Sequence, residues 1–188
     1  MSENTKTKLA IFDLDGTLFN TDDVNYLSYK EALEPFGIEL DREYFVGKCN
    51  GRSYKDFLPV IMGDSKDIET VHDSKMNLYT EYLPHAKKNE HLIAMMNGMK
   101  DEYYLALVTT ASKKNTKEIT DYFGITDMFD LCLTKEDIKK TKPDPEGFLA
   151  AMEYFNVSAK DTVIFEDSDV GIEAARRAGA TVFAVDKF

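Results

Sequence analysis

The chain has 188 residues, 23 of them Lys or Arg and 34 Asp or Glu, for a formal net charge of −11; 43% are hydrophobic and 12% aromatic. That length suits one domain, or one domain with a modest insertion, and the apolar share excludes an intrinsically disordered acidic tail. The negative surplus argues against nucleic acid or anionic membrane as the main partner, because either needs a basic footprint.

The leading residues run into only four apolar positions, Leu9-Ala-Ile-Phe12, before Asp13. A signal peptide needs a longer apolar region and a membrane span about 20 apolar residues, so a cytoplasmic protein is expected. Leu9–Phe12 has the character of a buried strand. From Phe19 to Pro84 no buried strand is expected. Tyr26, Leu27, Tyr29, Ala32, Leu33 and Phe36 form one helical stripe closed by Gly37. Tyr54, Phe57, Leu58, Ile61 and Met62 form a second before Gly63, and Ile68, Val71, Met76, Leu78, Tyr79, Tyr82 and Leu83 a third before Pro84. A core helix follows over about Asn89 to Lys100.

Four more apolar runs come next: Tyr104–Val108, Leu131–Leu133, Thr162–Phe165 and Thr181–Val185. Like the first they are continuous rather than alternating, as expected for parallel strands covered on both faces. Helices are predicted between them over Lys113–Phe123, Asp144–Phe155 and Asp169–Ala178, the last closed by Gly179. Strand–helix alternation of this kind predicts an α/β fold, a Rossmann-like doubly wound parallel sheet. The predicted core is residues 1–18 and 85–188, with an inserted α-helical cap over 19–84. Because little sequence follows the fifth strand, one edge of the sheet is expected to be thinly covered. Cys49 and Cys132 are far apart and form no CxxC, so both are expected as buried free thiols.

The chemistry concentrates at strand ends, where parallel α/β sheets bind ligands. Asp13 and Asp15 follow the first strand, and Gly16 allows a sharp turn. Two carboxylates so placed can hold a hard cation and divide the roles of nucleophile and acid/base, although an Asp-Gly turn also simply ends a strand. The second run ends in Thr109-Thr110-Ala111-Ser112, hydroxyls and N–H groups before a helix N-terminus that suit an anion or a plain N-cap. The third leads to Lys142-Pro143-Asp144-Pro145. A lysine there can hold a phosphate or neutralise carboxylates, while a lysine-rich loop alone reads as solvated surface. The fourth ends in Glu166-Asp167-Ser168, a second carboxylate pair.

In that conjunction the sequence resembles the haloacid dehalogenase superfamily of aspartyl-phosphate hydrolases. Asp13-Leu-Asp-Gly-Thr17 matches the first motif, DxDGT, and Lys142-Pro-Asp-Pro145 the lysine motif, KPxP. Glu166-Asp-Ser-Asp-Val-Gly171 looks like the EDSxxG variant of the fourth, and Thr109 or Thr110 falls at the Ser/Thr second motif. Thr110 is preferred, being followed by Ala111-Ser112 as in the sugar-phosphate mutase branch. The likeness runs from Leu9 to Val185.

The resemblance implies an Mg²⁺-dependent phosphatase acting on a small phosphorylated metabolite, such as a sugar phosphate. It implies Asp13 as nucleophile, Asp15 as acid/base, and Mg²⁺ held by Asp13, the Asp15 carbonyl and Asp167, with Glu166 as ligand or just behind. Lys142, the threonine hydroxyl and the Ala111 N–H would hold the phosphoryl group. The helical insertion resembles the cap of the phosphoglycolate phosphatase and β-phosphoglucomutase branch, with Arg52 and Lys55 as substrate contacts and Lys75 as another, a surface lysine being its plainer reading. Asp15 argues against dehalogenation. Asn25, where the mutase pattern has a histidine, favours a phosphatase over a phosphomutase. A pyrophosphatase and a non-catalytic phospholigand-binding regulator are also compatible with these motifs. His72, His85 and His91 are expected to be structural. A monomer is the default expectation.

Overall fold

In a computed structural model of the chain, residues 6–63 and 66–186 are described. The extreme N-terminal residues and the final Lys187-Phe188, both within the predicted core, lie outside them. The chain divides into two compact units, one comprising residues up to Asn20 with those from Lys88 onward, the other Thr21–Lys87.

The first unit is built on β1 (Lys8–Phe12), whose Leu9, Ala10, Ile11 and Phe12 are fully buried. Strand β2 (Phe19–Asn20) leads out of the unit and β3 (Lys87–Lys88) leads back. Helix α5 (Glu90–Met99) follows, with the Asn89 side chain accepting from the Leu92 N–H as its N-cap. Strands β4 (Tyr103–Val108), β5 (Leu131–Leu133), β6 (Thr162–Glu166) and β7 (Thr181–Ala184) complete a five-stranded sheet in the order β5-β4-β1-β6-β7. Every neighbouring pair is parallel. Strand order reverses at β1, so the end of β1 is the topological switch point at which such sheets open a crevice.

Helices α6 (Lys113–Tyr122), α7 (Glu146–Phe155) and α8 (Asp169–Arg177) make the crossovers. Leu9 and Ile11 of β1, Val108 of β4 and Ile164 of β6 pack with Phe148 and Ala151 of α7 and with Ala174 and Ala175 of α8. Ala174 and Ala175 of α8 and Phe148 of α7 are buried in that cluster.

Three expectations are corrected. Cys132 is exposed, because β5 is a three-residue edge strand; Cys49 is buried as expected. The Thr181–Ala184 run is not covered on both faces: β7 is the other edge, and its Phe183 is 54% exposed. Helix α7 starts at Glu146 rather than Asp144, with Pro145 as its N-cap residue.

The Thr21–Lys87 unit is helical. It holds α1 (Asp22–Leu33), the single turn α2 (Arg42–Tyr44), a π-helical turn at Phe45–Cys49, α3 (Tyr54–Met62) and α4 (Ile68–Tyr82). Tyr29 and Leu33 of α1, Phe45 of the π-helical turn, Phe57 and Leu58 of α3, and Val71 of α4 form its core. The Tyr29 and Phe57 rings meet edge to face at 5.2 Å. Among the described residues no helix is long and apolar enough to cross a membrane.

Candidate active site

Asp13 leaves β1 with its N–H donated to the Phe165 carbonyl at 3.0 Å, which keeps it in line with β6. The next turn is tight. The Gly16 N–H reaches the Phe19 carbonyl at 2.7 Å, and Gly16 has φ +90°. A Cβ on Gly16 would lie 2.2 Å from Asp167 Oδ2, so only glycine lets the β1 turn and the Asp167 carboxylate approach each other. On the other side of the turn the Thr17 hydroxyl donates to Asp167 Oδ1 at 2.9 Å.

At the end of β6, Glu166 is buried and both of its oxygens are engaged. Oε1 accepts from the Ser168 hydroxyl at 2.6 Å and the Ser168 N–H at 3.2 Å. Ser168 also caps α8 by accepting from the Gly171 N–H at 3.1 Å. A Cβ on Gly171 would meet the Glu166 carboxyl at 2.1 Å, so this first helical turn is open because the carboxylate lies over it.

Lys142 joins the two strand ends. Its ammonium lies 2.5 Å from Asp13 Oδ1 and 2.6 Å from Glu166 Oε2, with 10% of its side chain exposed. Burial alone pushes the lysine pKa down, but the Asp13 and Glu166 charges and hydrogen bonds outweigh it and the net shift is upward. Burial drives the Asp13 carboxyl well above the usual carboxylate range; Lys142 pulls it back, and the Glu166 and Asp15 charges push it further up. Ion pairs this deep are costly to break, on the order of 3–5 kcal/mol when one partner is removed, so Lys142 is the residue that lets these carboxylates coexist.

Asp13, Glu166 and Asp167 each offer an oxygen within 4.8 Å of the others. Three carboxylates so close form an all-oxygen set that suits a hard divalent cation. Asp15 is half-buried two residues beyond Asp13, its backbone bridging to Phe19.

The sequence-predicted residues separate into those the structure brings together and those it does not. Asp13, Lys142, Glu166 and Asp167 converge. Thr109 is buried, its hydroxyl accepting from the Ala111 N–H at 3.0 Å, whereas Thr110 is exposed; both line a pocket with Lys142, Thr141 and Phe148. In the helical unit, Arg52 is exposed and donates to the Lys48 carbonyl at 3.2 Å, and Lys55 is exposed beside Glu69 at 3.9 Å. Lys75 is not a surface lysine. It is buried, donates to Asn25 Oδ1 at 2.8 Å and sits over the Tyr79 ring at 4.7 Å. Thr17 and Ser168 also belong to the site, although sequence reasoning gives them no role. Thr17 closes the DxDGT match and Ser168 stands inside the EDSxxG match, and that membership is the signal the sequence offers.

A doubly wound parallel sheet with acids and a lysine gathered at its switch point defines a class of α/β hydrolase, and residues 10–185 match the family described as haloacid dehalogenase-like hydrolase. The chain belongs to that family and is an enzyme of it. It is 29% identical to the phosphorylated carbohydrates phosphatase of Thermotoga maritima, over 90% of this chain and 81% of that protein. It is 27% identical to the validoxylamine A 7'-phosphate phosphatase of Streptomyces hygroscopicus subsp. limoneus, over 92% of this chain and 82% of the relative. Among solved structures, a putative beta-phosphoglucomutase from Thermotoga maritima superposes with a TM-score of 0.79 at 27% identity, over 96% and 87% of the two chains.

Proposed function

We propose that this phosphoric monoester hydrolase removes phosphate from a small phosphorylated sugar or related metabolite, through an aspartyl-phosphate on Asp13 and with Mg²⁺ as cofactor. The observation that carries the reading is the Lys142 ammonium held between the Asp13 and Glu166 carboxylates, with Asp167 alongside, at the end of the central strand. A structural ion pair needs one acid; this lysine pairs with two, and Asp167 adds a third carboxylate oxygen within 4.8 Å of theirs, a set that suits a further cation.

In this reading Asp13 and Asp167, with the Asp15 carbonyl, hold Mg²⁺. When bound, Mg²⁺ offsets the charge of the phosphoryl oxygens against the carboxylates and polarises the phosphorus. Asp13 attacks phosphorus and the leaving oxygen departs with a proton from Asp15; Asp15 then takes a proton from the water that cleaves the acyl phosphate. Only ionised Asp13 can attack, and Lys142 opposes the burial that favours its protonated form. Glu166, with one oxygen on Ser168 and the other on Lys142, orients the lysine. Thr110, before the Ser112-capped N-terminus of α6, receives a phosphoryl oxygen together with Lys142, and the Ala111 N–H joins it by leaving the Thr109 hydroxyl to which it donates at 3.0 Å.

The helical unit acts as the cap that supplies substrate contacts, with Arg52 and Lys55 as its exposed cations. Asn25 supports hydrolysis over isomerisation. Its carboxamide accepts from Lys75 and donates to Thr21 at 3.2 Å, and an amide cannot relay a proton as an imidazole does. The test is phosphate release from a panel of sugar phosphates with MgCl₂ and with chelator. Metal-dependent release is expected, and Asp13→Asn should lower kcat at least ~10³-fold by removing the nucleophile. Unchanged turnover by that variant would sink the aspartyl-phosphate route, and interconversion of isomers without phosphate release would make the enzyme a mutase.

A further inference from the structure

We propose that Arg177, the last residue of α8, is a positioning residue for Lys142, its guanidinium holding the loop on which the lysine stands. The inference rests on the reading of Lys142 as the group that holds the transferring phosphoryl. Lys142 lies in the irregular segment between β5 and α7, yet its ammonium must stay within hydrogen-bond distance of both Asp13 and Glu166. Segments without a hydrogen-bonded ladder of their own are the more mobile parts of a fold, so the loop needs braces. Two of them act upstream of the lysine. The Asp137 carboxylate closes the turn from Thr134, and the Glu146 carboxylate accepts from the Lys139 and Lys140 N–H groups at 2.8 and 3.2 Å.

Directly beside Lys142 the Asp144 N–H donates to the Thr141 carbonyl at 3.0 Å and closes the turn over Lys142-Pro143, and a further brace comes from another element. Arg177 Nη1 donates to the Pro143 carbonyl at 2.9 Å, a charge-assisted bond to the peptide unit that follows the lysine's neighbour. The Arg177 guanidinium, on the last turn of α8, reaches the peptide beside Lys142, while Ser168, which follows Glu166 and Asp167 in the chain, caps the first turn of the same helix. One nine-residue helix thus begins at the acids that Lys142 neutralises and ends at the cation that grips Lys142's loop. Its length fixes the spacing between the two. Arg176, on the same final turn and also exposed, offers the helix C-terminus the same favourable charge, so the dipole alone gives Arg177 nothing that Arg176 lacks.

The experiment compares Arg177→Ala, Arg177→Lys and Arg176→Ala in the full chain, using p-nitrophenyl phosphate with MgCl₂ for turnover and inorganic phosphate for binding by calorimetry. Loss of a positioning contact should lower kcat for Arg177→Ala about 10-fold and weaken phosphate binding in proportion, with Arg177→Lys recovering most of both. Arg176→Ala should stay within about twofold of wild type while losing the same helix-end charge. In a Lys142→Ala background, adding Arg177→Ala should weaken phosphate binding no further, because the arginine acts through the lysine. Equal losses in the two alanine variants, or a further loss in the Lys142→Ala background, overturn the proposal. A wild-type chain that binds phosphate without turnover overturns the hydrolase reading alone, provided Arg177→Ala still weakens that binding. A wild-type chain that neither binds nor turns over overturns both.

Discussion

Gly16 and Gly124 share a left-handed backbone and differ in everything a side chain would meet. Gly124 has φ +67° and open space where a Cβ would go; Gly16 has φ +90° and the Asp167 carboxylate 2.2 Å away. Alanine at Gly124 therefore costs backbone strain only, about 1–2 kcal/mol, and leaves activity unchanged. Alanine at Gly16 adds a clash that must push Asp167 or the Asp15 turn out of place, and a displacement near 1 Å costs on the order of 10²-fold in rate. Thermal unfolding and kcat on the two variants separate the effects: a modest melting loss with full activity is expected for Gly124→Ala, and a larger melting loss with activity lost for Gly16→Ala. Lys75 shows periodicity prevailing over charge. Its stripe, Val71-Lys75-Tyr79, has four-residue spacing, which puts all three on the buried face of α4. That spacing is legible in the sequence, and it outweighs the charge that argues for the surface. What cannot be read there is the Asn25 carboxamide on α1 that satisfies the ammonium, a pairing 50 residues distant.

At the scale of elements, the turn that leads from β5 into the Lys142 loop is closed by one side chain. Asp137 accepts from the Thr134 N–H at 2.9 Å and its hydroxyl at 2.7 Å, and those bonds hold its carboxyl below the usual carboxylate range. A folded-state pKa below the unfolded one contributes stability above the unfolded value, near 4, and that contribution fades as pH falls through the folded value. Asp137→Asn is thus expected to be less stable than wild type at pH 7, with the gap closing below about pH 4. Urea unfolding of both proteins across that range measures it; a gap that widens on acidification contradicts the assignment. The five strands are legible in the sequence as continuous apolar runs, and the main helices by apolar stripes of one period together with the glycines, prolines and capping residues at many of their ends. The Arg42–Cys49 segment is not, since α2 is a single turn and a π-helical turn follows a register that neither period describes. Sheet edges are legible only in part: one thinly covered edge is expected, and β7, outermost, is exposed, whereas Leu131-Cys-Leu133 has the apolar character of an inner strand and only topology, with β5 outermost, explains its exposure.

For the whole molecule, a net charge of −11 means that any added cation stabilises the fold somewhat by screening self-repulsion. A raised melting temperature in MgCl₂ is therefore weak support for a metal site unless that general effect is removed. NaCl matched in ionic strength supplies the general effect without a divalent ion. The specific part is what remains, and binding to the folded state alone adds RT ln(1 + [L]/Kd), about 2.7 kcal/mol at a hundredfold excess over Kd. Asp13, Glu166 and Asp167 differ from the exposed acids in being gathered within 4.8 Å, with Lys142 as the ammonium found between Asp13 and Glu166. Three carboxylate oxygens within 4.8 Å of one another form a set that suits a hard divalent cation, so a residual Mg²⁺ stabilisation above the NaCl control is expected for wild type. Asp167→Asn removes one ligand oxygen's charge while preserving an acceptor for the Thr17 hydroxyl, and should abolish the residual without changing the screening part. Substituting Asp130, an exposed acid paired with Lys6 at the opposite end of β4, should leave the residual intact. If Asp167→Asn keeps the full Mg²⁺ shift, the acidic surplus acts only as a diffuse field and the three strand-end carboxylates are no metal site.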